Sequence, residues 1–499
     1  MMTPIAERTR ADVQWEPDRY SLLCRVKRFF ERYDGDAAFR LRYDEAPQEA
    51  VAAVAPGIEI EDIQALREVP RELPESVVDD ESLRPLARDY CRFVLERAVR
   101  FRRLRENARP VDPRFRAWSK RRMKQAEDEL GSGFAKTLLF STAAFELSKG
   151  CSVGCWFCGV SAPRLEDHFR YTAESRRLWR EILAAMVEFC GREAMRINFC
   201  FWATDPLDNP DYEAFAEDYR EIAGAYPPLT TALPLSDPER TRRMLAHFDI
   251  DVCRFSVITL SMLDRLHQEF TPEELGGVDL ALVNKESKAT KANVGRFRDR
   301  AQEQPKLLRL EREKRDLQLD FFAPETSSYE DVPTTIACVA GLLVNMVERR
   351  VRLVSPCAAS ARWPLGFVVY ADRRFRDGSD FRRQCDQLAR DCMFLKWPAE
   401  RSIAFRRRIR YRSVAAGFEL CSKHRRWSAK GAGQEAYFRE LGECVAEGRY
   451  RPDELAERLL ESHFVAGEQT DRLLGQLLRR GVLDEEPLAD RGALNGGTP

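Results

Sequence analysis

The stretch that decides the fold is Lys149-Gly150-Cys151-Ser152-Val153-Gly154-Cys155-Trp156-Phe157-Cys158-Gly159. Its three cysteines lie within eight residues, spaced C-x3-C-x2-C, directly after the strand-like run 138–147. Gly154 and Gly159 permit backbone angles that would let such a loop curl around a metal centre. Three thiolate ligands leave a fourth position open, which is typical of a reactive rather than a structural centre. Half of a zinc site is the alternative, but His168 is the only nearby further ligand.

The composition bounds the classes of protein to which the chain can belong. Its 499 residues predict two to four domains, and 81 basic residues balance 81 acidic ones. This balance argues against nucleic acid as a partner. The fourteen cysteines mostly lie in apolar patterns, as reduced thiols do in cytoplasmic proteins. The N-terminus lacks the apolar core of a signal peptide, and the longest apolar run, 336–347, is too short to span a bilayer. We therefore expect a cytoplasmic protein with no membrane partner.

Changes in hydrophobic pattern divide the chain into five parts. We predict a helical N-terminal region (1–130), an α/β domain (131–370), an Arg-rich connecting region (371–430), a compact helical module (431–490) and a disordered tail (491–499). In the α/β domain we predict strands at 138–147, 195–202, 229–235, 251–260, 317–322 and 351–354. Between them we predict helices at 173–189, 212–225, from 237, at 261–270 and at 332–349, with a charged loop over 284–315.

The cysteine spacing, with an aromatic residue before the third cysteine, resembles the radical S-adenosylmethionine (SAM) superfamily. That resemblance implies a partial (β/α)6 barrel of the TIM type. It also implies one 4Fe–4S cluster held by Cys151, Cys155 and Cys158, with SAM bound to the fourth iron.

Other positions of the superfamily can be carried over one by one. Phe157 occupies the aromatic position expected to pack near the SAM adenine. Asp205, in Ala203-Thr204-Asp205-Pro206, stands where the superfamily commonly has Gly-Gly-Glu-Pro, and is expected to contact SAM. Ser256 and Arg254 on the fourth predicted strand are further candidates for SAM binding.

The stretch 145–163, together with Ser355-Pro356-Cys357, looks like the proteusin-type radical SAM peptide epimerases. That resemblance implies conversion of L- to D-residues in a ribosomally made precursor peptide. It further implies that the α-hydrogen is removed and that a thiol on the opposite face, to which we assign Cys357, returns a hydrogen atom. An external electron donor of the flavodoxin or ferredoxin type is also implied. Cys385 and Cys392 are too sparse to form an auxiliary cluster array.

The C-terminal module resembles the second half of winged-helix modules of the PqqD type, which bind the leaders of precursor peptides by strand addition. A helical cap or a DNA-binding winged helix is the alternative. For the whole chain, the nearest rival function is a radical SAM maturase that forms thioether or carbon–carbon crosslinks. A more distant rival is a metal-binding winged-helix regulator.

Overall fold

A computed structural model describes residues 15–70, 73–249, 252–319 and 335–487. The predicted disordered tail, 491–499, lies outside these residues. Within the described part, no helix combines the length and the apolar character needed to cross a membrane.

The N-terminal helices form a core of their own. They are α1 (Pro17–Gly35), α2 (Ala37–Glu45), α3 (Pro47–Val54), α4 (Ile60–Glu68) and α5 (Pro85–Asn107). Three of them begin with a proline in the first turn, where its missing N–H loses no hydrogen bond. Leu23, Phe29 and Ile63 are fully buried between these helices.

The next helix, α6 (Pro113–Leu130), does not belong to that core. Its Phe115 and Trp118 are fully buried in the core that the sheet shares with later helices. By its packing α6 belongs with the core of the α/β domain, whereas the predicted N-terminal region extends to residue 130. A helix pattern does not reveal which neighbour its apolar face covers.

Two sheets form the centre of the molecule. The first has the order β1 (Ser141–Glu146), β7 (Val339–Asn345), β8 (Arg350–Pro356) and β9 (Phe367–Arg374), with β1 parallel to β7 and the other pairs antiparallel. The second is entirely parallel and contains β4 (Leu229–Thr231), β5 (Cys253–Val257) and β6 (Asp279–Leu282). The helices of this region are α7 (Ser132–Thr137), α8 (Ala173–Cys190), α9 (Arg192–Met195), α10 (Tyr212–Ala223), α11 (Pro238–His247), α12 (Leu260–Glu269), α13 (Gly295–Glu303), α14 (Pro305–Leu319) and α15 (Gly378–Cys392). The domain is thus mixed α/β, and its described strands do not close into a barrel.

A narrow seam joins residues 197–201 to β1. One isolated parallel bridge pairs Ala144 with Phe199. Beside it, the buried Asn198 accepts three hydrogen bonds on Oδ1, from the hydroxyls of Ser141 and Thr142 and from the backbone N–H of Ala143. The Asn198 side chain therefore holds this stretch against β1, as a ladder of backbone hydrogen bonds holds β7 against β1.

Three predictions in this domain are wrong. The expected helix over 332–349 contains the strand β7 instead, because a fully buried strand has no alternation to distinguish it from a buried helix. The expected strand at 195–202 forms only the single bridge. The expected loop at 284–315 contains all of α13 and most of α14. The end of α14 also covers the first residues of the strand expected at 317–322, whose remainder lies outside the described residues.

The C-terminal module is larger than predicted. Three antiparallel strands, β10 (Arg410–Val414), β11 (Gly417–Cys421) and β12 (Arg426–Lys430), precede the helices α16 (Glu435–Glu447), α17 (Pro452–His463) and α18 (Gly467–Arg480). All six share one core, which starts at Phe394. The expected connecting region 371–430 is divided between two cores: β9 and α15 pack in that of the α/β domain, and the residues from Phe394 onward pack in that of the module. The strands β10 and β12 were not predicted, because the arginines on their exposed faces make this part of the sequence look irregular.

Candidate functional site

The cysteine loop, residues 150–163, follows the carboxyl end of β1. The short strands β2 (Ser148–Lys149) and β3 (Asp167–His168) pair antiparallel at its base. Gly150 has a φ of +84°, and an added Cβ would lie 2.1 Å from the carbonyl oxygen of Arg164. Only glycine fits this close approach. The pairing of β2 with β3 and the close approach at Gly150 therefore close the base of the loop, and the three cysteines lie within it.

The three thiols are half-buried and form no disulfide. Burial raises the pKa of Cys151 to about 12 and that of Cys155 to about 11. The Sγ of Cys158 accepts a hydrogen bond from the N–H of Ala162 at 3.3 Å. Iron bound at these thiols would favour their deprotonated form.

Whether the thiols fit an iron–sulfur cluster depends on their arrangement. Within the described ranges, no three His, Cys, Asp or Glu side chains are close enough together to hold a single metal ion. In a cluster each thiolate binds a different iron, so the thiols need not converge on one point. Three thiols in one short loop, with no fourth cysteine or histidine grouped with them among the described residues, fit a cluster with an open iron better than a closed zinc site.

Asp208 ties the cysteine loop to the turn that follows residue 201. Its Oδ2 accepts from the N–H of Ser152 at 2.9 Å, and its Oδ1 accepts from the Ser152 hydroxyl. The charges of Asp205 and Asp208 also raise the pKa of Cys151, so this turn lies beside the loop. The sequence analysis selected Asp205 as a site residue but missed Asp208. The available signal was that a second aspartate follows Asp205 after three positions.

Asp205 is buried at the end of β4. It accepts hydrogen bonds from the Thr231 hydroxyl at 2.6 Å and from the N–H groups of Ala232 at 2.7 Å and Leu207 at 3.0 Å. Burial raises its pKa to about 6 despite these bonds. The carboxylate therefore holds the turn to the parallel sheet, at the edge next to the cysteine loop.

Phe157 lies against the helices that follow β6. Its ring packs edge-on to Trp156, with the centroids 5.4 Å apart, and both rings cover Phe297 and Leu308. The buried Lys291 places its Nζ 5.8 Å from the Phe157 ring centroid. The aromatic position thus anchors the tip of the loop to α13 and α14.

Arg254 and Ser256 share one face of β5, because Cys253, Phe255 and Val257 are buried on the other. Arg254 pairs with Asp279, its register partner on β6, at 2.8 Å. Its charge lowers the pKa of the Cys338 thiol against the larger raising effect of burial. Arg254 therefore faces the amino end of β7, and Ser256 lies nearer the carboxyl end of its own strand.

Cys357 lies away from the cysteine loop. Because β8 runs antiparallel to β7 and β1, Cys357 follows the edge of the sheet at which β1 begins. It is 6% exposed and lines a cavity of about 270 Å³ between α6, the sheet and the module, with Arg122, Tyr370 and Glu485. Burial raises the pKa of its thiol well above the ordinary value. The structure thus brings Cys151, Cys155, Cys158, Phe157 and Asp205 together but leaves Cys357 apart.

A groove of about 240 Å³ runs between β12 and α18 of the module. Trp427 and Ala429 line it from the strand, and Leu473 and Leu477 line it from the helix. In the described sheet β12 is an edge strand, because β11 pairs with it on one side only. An edge strand above an apolar groove is the geometry that an added peptide strand uses.

The chain is 36% identical over 498 residues to a protein of Sinorhizobium fredii (strain NBRC 101917 / NGR234) described as "Uncharacterized protein y4wI". The match covers 96% of this chain and 90% of that protein. The chain belongs to the y4wI family. Membership in the y4wI family extends across the helical region, the α/β domain and the module, since the match covers nearly all of both chains. No protein-family model and no solved structure matches the chain.

Proposed function

We propose that this chain is a radical SAM peptide epimerase, which converts L- to D-residues in a ribosomally made precursor peptide. The observation that carries the proposal is the loop of three free thiols at the carboxyl end of the buried parallel strand β1. Catalytic groups of α/β folds gather at this end of the strands. The finer fold that we propose is a partial (β/α)6 barrel, of which β1, residues 197–201 and β4 to β6 would form five of the six strands.

Cys151, Cys155 and Cys158 would hold one 4Fe–4S cluster and leave one iron open for SAM. When bound and reduced by a donor of the flavodoxin or ferredoxin type, the cluster and SAM supply a radical that removes the α-hydrogen of a peptide residue. Asp205 and Asp208 would hold the turn beside this centre. Phe157 would keep the tip of the loop against α13, so that water is excluded from that side.

The peptide radical needs a hydrogen atom from the opposite face, and a buried S–H is the source that we propose. Cys357 satisfies the protonation requirement, because its raised pKa keeps the thiol intact at neutral pH. The segment after Cys357 returns toward the cysteine loop: Pro364 accepts a hydrogen bond from Gly295, and Ser360 accepts one from Arg298. When the S–H bond breaks and the new Cα–H bond forms, the sulfur radical takes one electron from the external donor and one proton.

Cys338 is the competing donor. It lies partly buried beside Arg254, on the face of β5 that also carries Ser256. Single Cys357→Ala and Cys338→Ala variants decide between the two thiols. We expect Cys357→Ala to cleave SAM but to yield no D-residue, and Cys338→Ala to yield both products. The reverse result would assign the donor role to Cys338.

The module would hold the leader of the precursor peptide. The exposed edge of β12 offers backbone hydrogen bonds, and the apolar groove offers pockets for side chains. Its acidic helices do not favour a nucleic-acid backbone as the ligand, since Glu454, Glu457 and Glu461 all lie on α17.

The test is anaerobic reconstitution with iron and sulfide, followed by reaction with SAM and a precursor peptide encoded beside the gene, in deuterium oxide. Epimerisation adds one mass unit per event, because the returned hydrogen comes from an exchangeable thiol. A loss of two hydrogens would instead indicate crosslink formation. A protein that binds zinc but forms no iron–sulfur chromophore would favour the metal-binding regulator.

A further inference from the structure

One residue outside the loop contacts three of its backbone carbonyls. The Nη1 of Arg296 donates to the carbonyl oxygen of Cys155 at 2.7 Å, and its Nη2 donates to that of Ala162 at 2.5 Å. The backbone N–H of Arg296 donates to the carbonyl oxygen of Cys158 at 3.0 Å. Two of these carbonyls belong to cluster-binding cysteines, so Arg296 spans the loop between its second and third thiols.

The backbone beside Arg296 fits the loop closely. Gly295 has a φ of +56°, and an added Cβ would lie 2.3 Å from the carbonyl oxygen of Gly159. A Cβ at Gly159 would lie 2.6 Å from the Ile336 side chain. Only Gly295, whose φ is positive and whose near neighbours are backbone atoms, requires glycine, so α13 begins in backbone contact with the end of the loop.

The charge of Arg296 is not neutralised by these contacts. Its guanidinium donors bind neutral carbonyls, and no carboxylate among the described residues pairs with it. The side chain is half-buried, where charges interact more strongly than in bulk water. A positive charge at this place would favour the more negative, reduced state of a cluster held by Cys155 and Cys158.

We propose that Arg296 is a positioning residue for the iron–sulfur cluster: it fixes the spacing of Cys155 and Cys158 and raises the reduction potential of the cluster. The inference rests on the proposed function, because it presupposes that the loop binds a cluster. It adds a role to a residue 141 positions away from Cys155 in the chain.

Three variants of the full chain test the proposal: Arg296→Gln, Arg296→Lys and, as a matched control, Arg300→Gln. Arg300 is an exposed arginine on the same helix. Each protein is reconstituted, and we measure iron and sulfide content, iron loss to a chelator and the midpoint potential by electron paramagnetic resonance. Thermal unfolding of the metal-free proteins reports on folding.

We expect Arg296→Gln to lose iron to the chelator about ten-fold or more faster, as removal of a residue that orients ligands does. Its remaining cluster should have a more negative midpoint potential. Arg296→Lys keeps the charge but not the two-pronged geometry, so its potential should return toward the wild-type value while iron loss stays fast. Arg300→Gln should match the wild type in both readouts.

Wild-type iron retention and potential in Arg296→Gln would overturn the inference. If Arg296→Gln does not fold, Arg296→Lys decides: wild-type iron retention in that variant would overturn the positioning role. A wild-type protein that takes up no cluster at all would refute the proposed function instead, and the two failures are thereby distinguishable.

Discussion

The cysteine loop and the junction between α6 and the module differ in whether their functional side chains are paired with one another. We define the junction as Arg121, Arg122, Tyr370, Arg406 and Glu485. Arg121 binds both oxygens of Glu485, at 2.7 and 2.6 Å, and Arg122 pairs with the same carboxylate. These three side chains are at most 2% exposed. In the cysteine loop the thiols are half-exposed, and it is backbone carbonyls rather than thiols that Arg296 binds.

The difference shows how a region's role determines its chemistry. A contact that joins two domains pairs its charges with one another, because an unpaired buried charge is strongly destabilising. A site that must receive a cofactor keeps its ligands available and fixes the backbone around them. The junction should therefore contribute to stability, and the loop should contribute to cofactor binding with little effect on stability.

The largest effect is expected from replacing Cys151, Cys155 and Cys158 together by alanine. This variant should form no iron–sulfur chromophore after reconstitution, because all three thiolate ligands are gone. Its metal-free unfolding free energy should stay close to that of the wild type. Cys421→Ala in the module is the control and should load normally. A cluster in the triple variant, measured by iron content and absorbance, would show that other residues hold it.

The second effect concerns the stability of the junction. Glu485→Gln leaves the buried Arg121 and Arg122 without an anionic partner, which should lower the unfolding free energy by about 3–5 kcal/mol. Urea unfolding measures it. Glu468→Gln, at an exposed position of α18, should change it by less than about 0.5 kcal/mol. A loss at Glu485→Gln as small as that of the control would contradict the role of the junction.

The third effect is pH-dependent stability at Asp205. Because burial raises its pKa from 3.8 to about 6, the folded state binds the proton more tightly than the unfolded state. This contribution, about 3 kcal/mol, is fully present below pH 4 and is lost as the pH rises through 6. The unfolding free energy of wild type minus that of Asp205→Asn should therefore fall between pH 4 and pH 7. A constant difference across this window would show that the carboxyl has an ordinary pKa.

The smallest effect separates the two faces of the module. Trp427→Ala removes an aromatic wall of the groove and should weaken binding of the leader peptide about ten-fold, as loss of one interface aromatic does. Fluorescence anisotropy with a labelled leader measures the affinity. Leu460→Ala is the control, since Leu460 is 48% exposed on α17 and does not line the groove. Cluster loading should be unchanged in both variants, and equal leader affinities would place the peptide elsewhere.

Local signals made part of this molecule predictable. The helices α8, α10, α11 and α12 were predicted because their apolar periodicity is strong, and α11 also begins with Asp237 as its N-cap and a proline. The strand β7 was missed because the apolar run 336–347 has no alternation, whereas β8 was predicted as a strand over 351–354. The helices α13 and α14 were missed because their sequence is highly charged.

In the candidate site, too, the residues that are close together in the sequence were predicted and those that are far apart were missed. Spacing alone identified the three thiols, which are close together in the chain. Asp208 and Arg296 were missed because their contacts with the loop span 56 and 141 positions, and no local pattern encodes such contacts. The placement of Cys357 away from the loop follows from the antiparallel direction of β8, which was predicted as the last parallel strand of the barrel.

The seam at Asn198 has a mechanical consequence. One backbone bridge and one amide oxygen connect the stretch beside β1 to that strand, whereas β1 and β7 share a full ladder. In a ladder, many backbone hydrogen bonds must break before one strand can slide past its neighbour. In the seam, three of the hydrogen bonds end on the single amide oxygen of Asn198. The register between this stretch and β1 therefore depends on few groups, and loss of the Asn198 amide would remove three of their hydrogen bonds at once.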